Sequence, residues 1–183
     1  MKASYNKKRK YWHNIKNFDT ENSKAYGIDE IVLAGVEFPI CNSKGEEKNI
    51  LIAASASGDS SMHYEDNTPE GTGSLYGARN QLFDNIIRSI MNEASDLTYN
   101  MKTYKHLKRP PKIGLIRFFA VGRKEKFDKI LTYNEVHCQE HPYYAFYVYI
   151  RQLIGEIRKI EIEKLKSAIK KQQSSRRKIK KRK

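Results

Sequence analysis

Residues 30–41 read EIVLAGVEFPIC and are the first strand candidate of the chain. This stretch is rich in β-branched and other apolar residues, which is typical of a strand in the interior of a protein. It runs into NSKGEEK, whose polar residues and Gly45 predict a turn. Residues 49–57, NILIAASAS, follow as a second strand candidate. The short polar link between the two strands predicts a β-hairpin.

A second hairpin is predicted further along the chain. Residues 113–122, IGLIRFFAVG, and 127–138, FDKILTYNEVHC, are two more strand candidates, joined by GRKEK. Each hairpin is followed by an amphipathic helix, over about 75–94 and about 143–170, in which apolar residues recur every three or four positions. The sequence therefore predicts an α+β fold in ββα-ββα order, with an antiparallel sheet of about four strands and two main helices.

The positive charge lies at the two ends of the chain. The 183 residues carry a formal net charge of +14. Residues 1–26 contain seven Lys or Arg and two acids, and residues 164–183 contain eleven and no acid, whereas residues 27–163 are nearly neutral. This division predicts a basic N-terminal arm over 1–26, a single α+β domain over 27–163, and a basic C-terminal helix end and tail over 164–183.

The remaining composition favours a cytoplasmic protein. Two cysteines that lie far apart, Cys41 and Cys138, indicate no disulfide framework, so a reducing compartment is expected. The first residues lack the apolar segment of a secretory signal. No stretch approaches the roughly 18 apolar residues that a membrane-spanning helix needs.

The basic ends predict nucleic acid, either RNA or DNA, or a nucleoprotein complex as the partner. Clustered Lys and Arg bind a phosphate backbone by releasing its counterions, and aromatic rings between them can stack on unpaired bases. The alternative is a solvated tail without specific contacts. A hairpin tip within the basic stretch 102–129 could also follow a backbone. The expected contact residues are Lys7, Lys8, Arg9, Lys10, Trp12, Arg109, Arg123, Lys124, Lys126, Arg176, Arg177, Lys178, Lys180, Lys181 and Arg182.

The loop over residues 58–74, GDSSMHYEDNTPEGTGS, is the candidate for catalysis. Its carboxylates could hold Mg²⁺ against substrate phosphates, and its histidine could act as an acid or base. The alternative is a flexible acidic loop. A strand carboxylate followed by a hairpin and a helix resembles, in topology, ribonuclease H-like nucleases. The weak catalytic candidates are Glu37, Asp59, His63, Glu65 and Asp66, and Asp128 and Glu135 are the acids on the later strands.

We therefore expect a nucleic-acid- or ribonucleoprotein-binding accessory protein rather than an enzyme. If it is an enzyme, a nuclease is expected, with Mg²⁺ as its cofactor; otherwise we expect no metal or cofactor. The high content of Lys, Ile, Asn and Tyr is typical of AT-rich genomes. Small proteins without a known motif are common among phage and mobile-element accessory genes. By this association, and not by a residue pattern, an alternative is a phage or mobile-element inhibitor of a guide-RNA-dependent host defence nuclease, of the anti-CRISPR type. The second helix is longer than one sheet face needs, so a homodimer through it is possible.

Overall fold

The structure is a computed structural model that describes residues 3–14, 31–41, 44–65, 73–76 and 81–180. These residues form one seven-stranded sheet and four helices, with a short 3-10 turn after the second helix. In chain order the elements are α1 (Ala3–Trp12), β1 (Ile31–Cys41), β2 (Glu47–Ser55), β3 (Ser60–Tyr64), β4 (Gly73–Tyr76), α2 (Gln81–Leu97), β5 (Lys102–Thr103), β6 (Leu115–Gly122), β7 (Lys126–Thr132), α3 (Tyr133–His137) and α4 (Tyr144–Lys180).

The sheet is built around β1. The strand order is β4-β3-β2-β1-β6-β7-β5, and neighbouring strands are antiparallel throughout. The turn between β1 and β2 contains Gly45 at φ +74°, a left-handed conformation that favours glycine. The first seven residues of β1 are all buried, and six of them are apolar, because helices cover both faces of the sheet. A strand covered on both faces has no polar face, which explains the apolar run in its sequence.

Helices α2 and α4 cover one face of the sheet and pack against each other. The ring of Phe118 on β6 lies at the centre of this layer, with its centroid 5.0 Å from that of Tyr143 and 5.2 Å from that of Phe146. Helix α1 covers the opposite face, where Tyr5 and Trp12 pack among apolar residues of β1, β2 and β6. The described chain therefore has three layers: α2 with α4, the sheet, and α1.

The structure confirms the α+β class but not the predicted order. The two predicted hairpins are β1–β2 and β6–β7, and the two predicted helices are α2 and α4. The ββα-ββα order and the four-strand count were wrong, because β3 lies in the predicted loop 58–74, β4 spans the end of that loop and the start of the predicted helix, and β5 adds a short edge strand. Helix α2 begins at Gln81 rather than at about residue 75. Residues 3–12 of the predicted arm form α1, and residues 15–26 lie outside the described residues.

The last predicted strand was too long. Residues 133–137 form α3 rather than the end of β7. Thr132 caps this helix: its side chain accepts a hydrogen bond from the Glu135 backbone N–H, and the Glu135 carboxylate accepts one from the Thr132 backbone N–H. This reciprocal pair is a capping box, and the order Thr-x-x-Glu is its sequence signature.

Gly35 in β1 allows the layer under α1 to close. A Cβ at this position would clash with the backbone carbonyl oxygen of Ile52, and it would lie 2.8 Å from Cζ of Phe119 and 3.0 Å from Cα of Ala53. Phe119 is fully buried, and its ring centroid lies 4.3 Å from that of His13 on the α1 side. The Phe119 ring therefore has little room to move away from a larger residue at position 35.

We predict that Gly35→Ala lowers the free energy of unfolding by about 1–3 kcal/mol, because it overpacks this layer. Gly155 in α4 provides the control, since nothing lies within 4 Å of its Cβ position. Gly155→Ala should raise the free energy of unfolding by about 0.5–1 kcal/mol, through the helix preference of alanine. Urea unfolding of both variants measures the two effects. If the two substitutions change the free energy of unfolding by similar small amounts, the close packing around Gly35 is contradicted.

Candidate nucleic-acid interface

Glu37 lies near the middle of β1, on the face that α1 covers, and it is completely buried. Its carboxylate accepts hydrogen bonds from Tyr5 Oη at 3.1 Å, Arg9 Nη2 at 2.8 Å and Arg117 Nη1 at 2.9 Å. Arg9 Nε forms a further ion-pair contact with this carboxylate. A buried carboxylate is tolerated only when it is paired and hydrogen-bonded. Glu37 therefore fixes α1 on the sheet.

The same two guanidinium groups hold the segment that precedes β6. Arg9 Nη2 donates to the carbonyl oxygen of Lys108 at 2.8 Å, and Arg117 Nη2 donates to that of Arg109 at 2.6 Å. Asp128 on β7 closes the network, with one oxygen 3.0 Å from Lys108 Nζ and the other 3.4 Å from Arg117 Nε. Two parts of the chain that lie 99 positions apart are thus joined on one face of the sheet.

Two more polar contacts hold the C-terminal end of α1. Trp12 Nε1 donates to His63 Nε2 at 2.8 Å, and Ser61 Oγ lies 2.8 Å from the same nitrogen. His13 Nδ1 contacts the hydroxyl of Tyr104. Because His63 Nε2 accepts from the indole, the neutral ring carries its proton on Nδ1, which has no hydrogen-bond partner among the described residues.

Both histidines of this layer are held in the neutral form. Burial, and then the charge of Lys8, lowers the pKa of His63 to about 4. Burial, and then the charges of nearby arginine and lysine side chains, lowers the pKa of His13 well below its ordinary value. A proton on either ring would place a positive charge in a layer that already contains Arg9 and Arg117.

The outer side of this layer is positively charged. Residues 3–14 contain four Lys or Arg, residues 104–114 contain four, and neither segment contains an acid. Of these eight side chains Arg9 is buried, Lys8 is half-buried and the other six are exposed. We call the seven accessible ones the basic surface: Lys7, Lys8, Lys10, Lys105, Lys108, Arg109 and Lys112.

The turn between β6 and β7 continues this charge. Arg123 and Lys124 are exposed at its tip, and Lys126 is half-buried. A cleft of about 460 Å³ lies between the turn and residues 103–105, so that Lys105 of the basic surface lines the same cleft as Lys124. A second cleft of about 440 Å³ lies between the turn and the start of β1.

The structure separates the predicted contact residues into three groups. Arg9 and Trp12 are each 1% exposed and hold α1 on the sheet, so their side chains do not reach the surface. The second group is accessible: Lys7, Lys8, Lys10, Arg109, Arg123, Lys124 and Lys126. The third group belongs to the tail: Arg176, Arg177, Lys178 and Lys180 lie on the backbone of α4, and Lys181 and Arg182 lie outside the described residues.

Two of the catalytic candidates are committed to the interior. Glu37 and His63 lie in one cross-strand row, each paired with Leu51 of the strand between them. The carboxylate of Glu37 is neutralised by two guanidinium groups, and His63 is 2% exposed beneath Trp12. Neither side chain lines either of the two clefts beside the β6–β7 turn.

The other catalytic candidates lie elsewhere. Asp59 is in the turn between β2 and β3, where it accepts a hydrogen bond from Ser57 Oγ at 3.1 Å. Glu65 accepts a hydrogen bond from the side chain of Asn49. Asp66 lies outside the described residues. Among the residues that the structure describes, no group of three or more His, Cys, Asp or Glu side chains could hold a metal ion.

Sequence reasoning missed the residues that assemble this layer, which include Tyr5, His13, Ser61 and Arg117. A signal was present in α1, because Tyr5, Arg9 and Trp12 follow one another at spacings of four and three, as residues on one face of a helix do. The central residue of that face is an arginine, so the pattern does not read as apolar.

Comparisons with known proteins do not extend this picture. No protein-family model matches the chain, and a search of curated proteins gives no match either. The helices in the described ranges include none with an apolar stretch long enough to cross a membrane.

We predict that Glu37→Gln lowers the free energy of unfolding by about 3–5 kcal/mol, because it leaves two arginines buried without their carboxylate. Glu125→Gln makes the same chemical change at an exposed position in the β6–β7 turn and should alter stability by less than about 0.5 kcal/mol. Urea unfolding measures both values. A small effect of Glu37→Gln would show that this carboxylate does not hold α1.

We also predict that the protein loses stability as the pH falls from about 6.5 towards about 4. In this window the unfolded chain protonates His63 while the folded chain does not, since the folded pKa is about 4. His63→Gln keeps an acceptor for Trp12 and should reduce the pH dependence; the remainder comes from His13 and other titrating groups. Unfolding midpoints in urea at about pH 7 and about pH 5 test this. If the unfolding midpoint falls by the same amount between these two pH values in the parent and in the variant, His63 does not contribute to the pH dependence and the prediction is contradicted.

Proposed function

We propose that the protein binds nucleic acid through the basic surface. The observation that carries the proposal is the position of the Arg9 side chain, which lies between the carboxylate of Glu37 and the carbonyl oxygen of Lys108. This arginine joins two acid-free basic segments that are distant in sequence. Each segment alone is a short run of charge, but together they form one surface of seven accessible cations.

The arrangement suits a line of phosphates. Lysine ammonium groups act as point charges, and contacts of this kind position a nucleic acid without reading its sequence. The backbone that carries them is fixed by buried polar contacts, so little backbone conformational entropy is lost on binding. Tyr11, which is 41% exposed, adds one aromatic ring beside these cations that can stack on an unpaired base.

The C-terminal residues 164–183 add a second source of attraction. They contain eleven Lys or Arg and no acid, and the helix that carries most of them continues to Lys180. A charge of this size raises the rate of encounter with a polyanion and the salt dependence of its binding. In this proposal the tail supplies general attraction, and the basic surface supplies a fixed orientation.

The geometry gives less support to the nuclease alternative, since Glu37 is paired with cations and His63 is buried. The alternative of an inhibitor of a guide-RNA-dependent nuclease stays a hypothesis about the partner. The same cations would then face guide RNA held by another protein. It is tested by comparing the affinity for a guide-RNA-loaded nuclease with that for the naked guide RNA, and equal or weaker binding to the complex counts against it.

The proposal predicts a specific change in salt dependence. The slope of log affinity against log salt concentration is negative for a protein that binds phosphates. The double variant Lys7→Gln, Lys10→Gln should reduce the magnitude of this slope by about 1 to 2, because up to two phosphate contacts are lost. Fluorescence anisotropy with labelled duplex DNA, duplex RNA and single strands of equal length measures the slope. The same titrations show which of these nucleic acids the protein prefers.

The matched control is Arg158→Gln, Lys159→Gln, which removes the same charge from exposed positions on α4. Its slope should equal that of the parent protein. If both double variants reduce the magnitude of the slope equally, the attraction depends on net charge alone and the basic surface is not the binding site. Absence of binding by the parent protein would overturn the proposed function.

A further inference from the structure

The distal part of α4 carries a surface that the fold does not use. Helix α4 packs on the body through residues up to Ile157, which is fully buried, and Ile160, which is partly buried. From Ile162 to Lys170 every side chain is exposed. The helix nevertheless continues to Lys180, beyond its last contact with the hydrophobic core.

Three aliphatic side chains form a stripe on this part of the helix. Ile162, Leu165 and Ile169 are 50%, 63% and 53% exposed, and their spacings of three and four put them on one helix face. None of the three belongs to the hydrophobic clusters of the described residues. A helix of this length is marginal in water without a packing partner, and its repeated positive charges destabilise it further.

We propose that this stripe packs against the same stripe of a second copy of the chain, in antiparallel orientation. Aliphatic side chains in the middle of a basic helix do not interact favourably with a phosphate backbone, whereas they are buried when two helices pack together. The proposal does not depend on nucleic-acid binding.

Charge selects the antiparallel orientation. Residues 156–163 contain three acids, Glu156, Glu161 and Glu163, and two bases, whereas residues 164–183 carry only positive charges. Parallel helices would lay the two acid-free segments side by side, and the positive charges would repel each other. Antiparallel helices place the acids of each copy beside the bases of the other, as complementary interfaces require.

The test is the association state of the full chain as a function of its concentration, after removal of any bound nucleic acid. The stripe is short, so we expect a dimer that dissociates on dilution in sedimentation velocity runs. Leu165→Lys should stay monomeric at all concentrations. Ser167→Lys adds the same charge on the opposite side of the helix and should dimerise like the parent protein. Far-ultraviolet circular dichroism and urea unfolding verify that both variants keep a folded body.

A parent protein that is monomeric throughout would overturn the proposal, as would unchanged dimerisation by Leu165→Lys. Orientation is measured with a spin label at Gln152 in a Cys41→Ser, Cys138→Ser background. An antiparallel pair centred on the stripe separates the two labels by about 40 Å along the axis, at 1.5 Å per residue. A label separation near the interhelical distance of about 10 Å would indicate parallel helices and contradict the antiparallel form.

Discussion

The carboxylate of Glu37 between Arg9 and Arg117 is the interaction on which the layer under α1 depends. It removes three charges from water, and the cost is offset only when all partners are present. Tyr5 and the carbonyl oxygens of residues 108 and 109 provide further hydrogen bonds to the carboxylate and to the two guanidinium groups. Helix α1, the central strand and the segment before β6 are therefore positioned as one unit.

This network also explains the polarity of that face of the protein. The two acids of the network, Glu37 and Asp128, are buried, while the lysines of α1 and of the segment before β6 are accessible to solvent. Glu37 pairs with the buried Arg9 and Arg117, and among the outer cations Asp128 pairs with Lys108, so most of the surface charge is not offset by these acids. A body that is nearly neutral in total thus presents one strongly positive face, which links the interior packing to the proposed binding of a polyanion.

The parts of the fold that sequence predicted are those with an apolar period. The hairpins β1–β2 and β6–β7 and the helices α2 and α4 bury aliphatic side chains at regular spacings. Helix α1 and strand β3 were not predicted, because they bury Arg9, Ser60, Ser61 and His63. Residues of these types are usually expected at the surface. The candidate site was not predicted for a related reason. The hydrogen bond from the Arg9 side chain to the carbonyl oxygen of Lys108 joins two segments that no local sequence pattern connects.

The most direct test of the account is a titration of the isotope-labelled full chain with a short nucleic acid, followed by backbone amide chemical shifts. We predict that the amides of Lys7 and Lys10 shift together with those of residues 105–109 and Lys112, at the same ligand concentrations, because the two segments form one rigid surface. Shifts confined to residues 164–183 would contradict it, since binding would then involve only the basic tail.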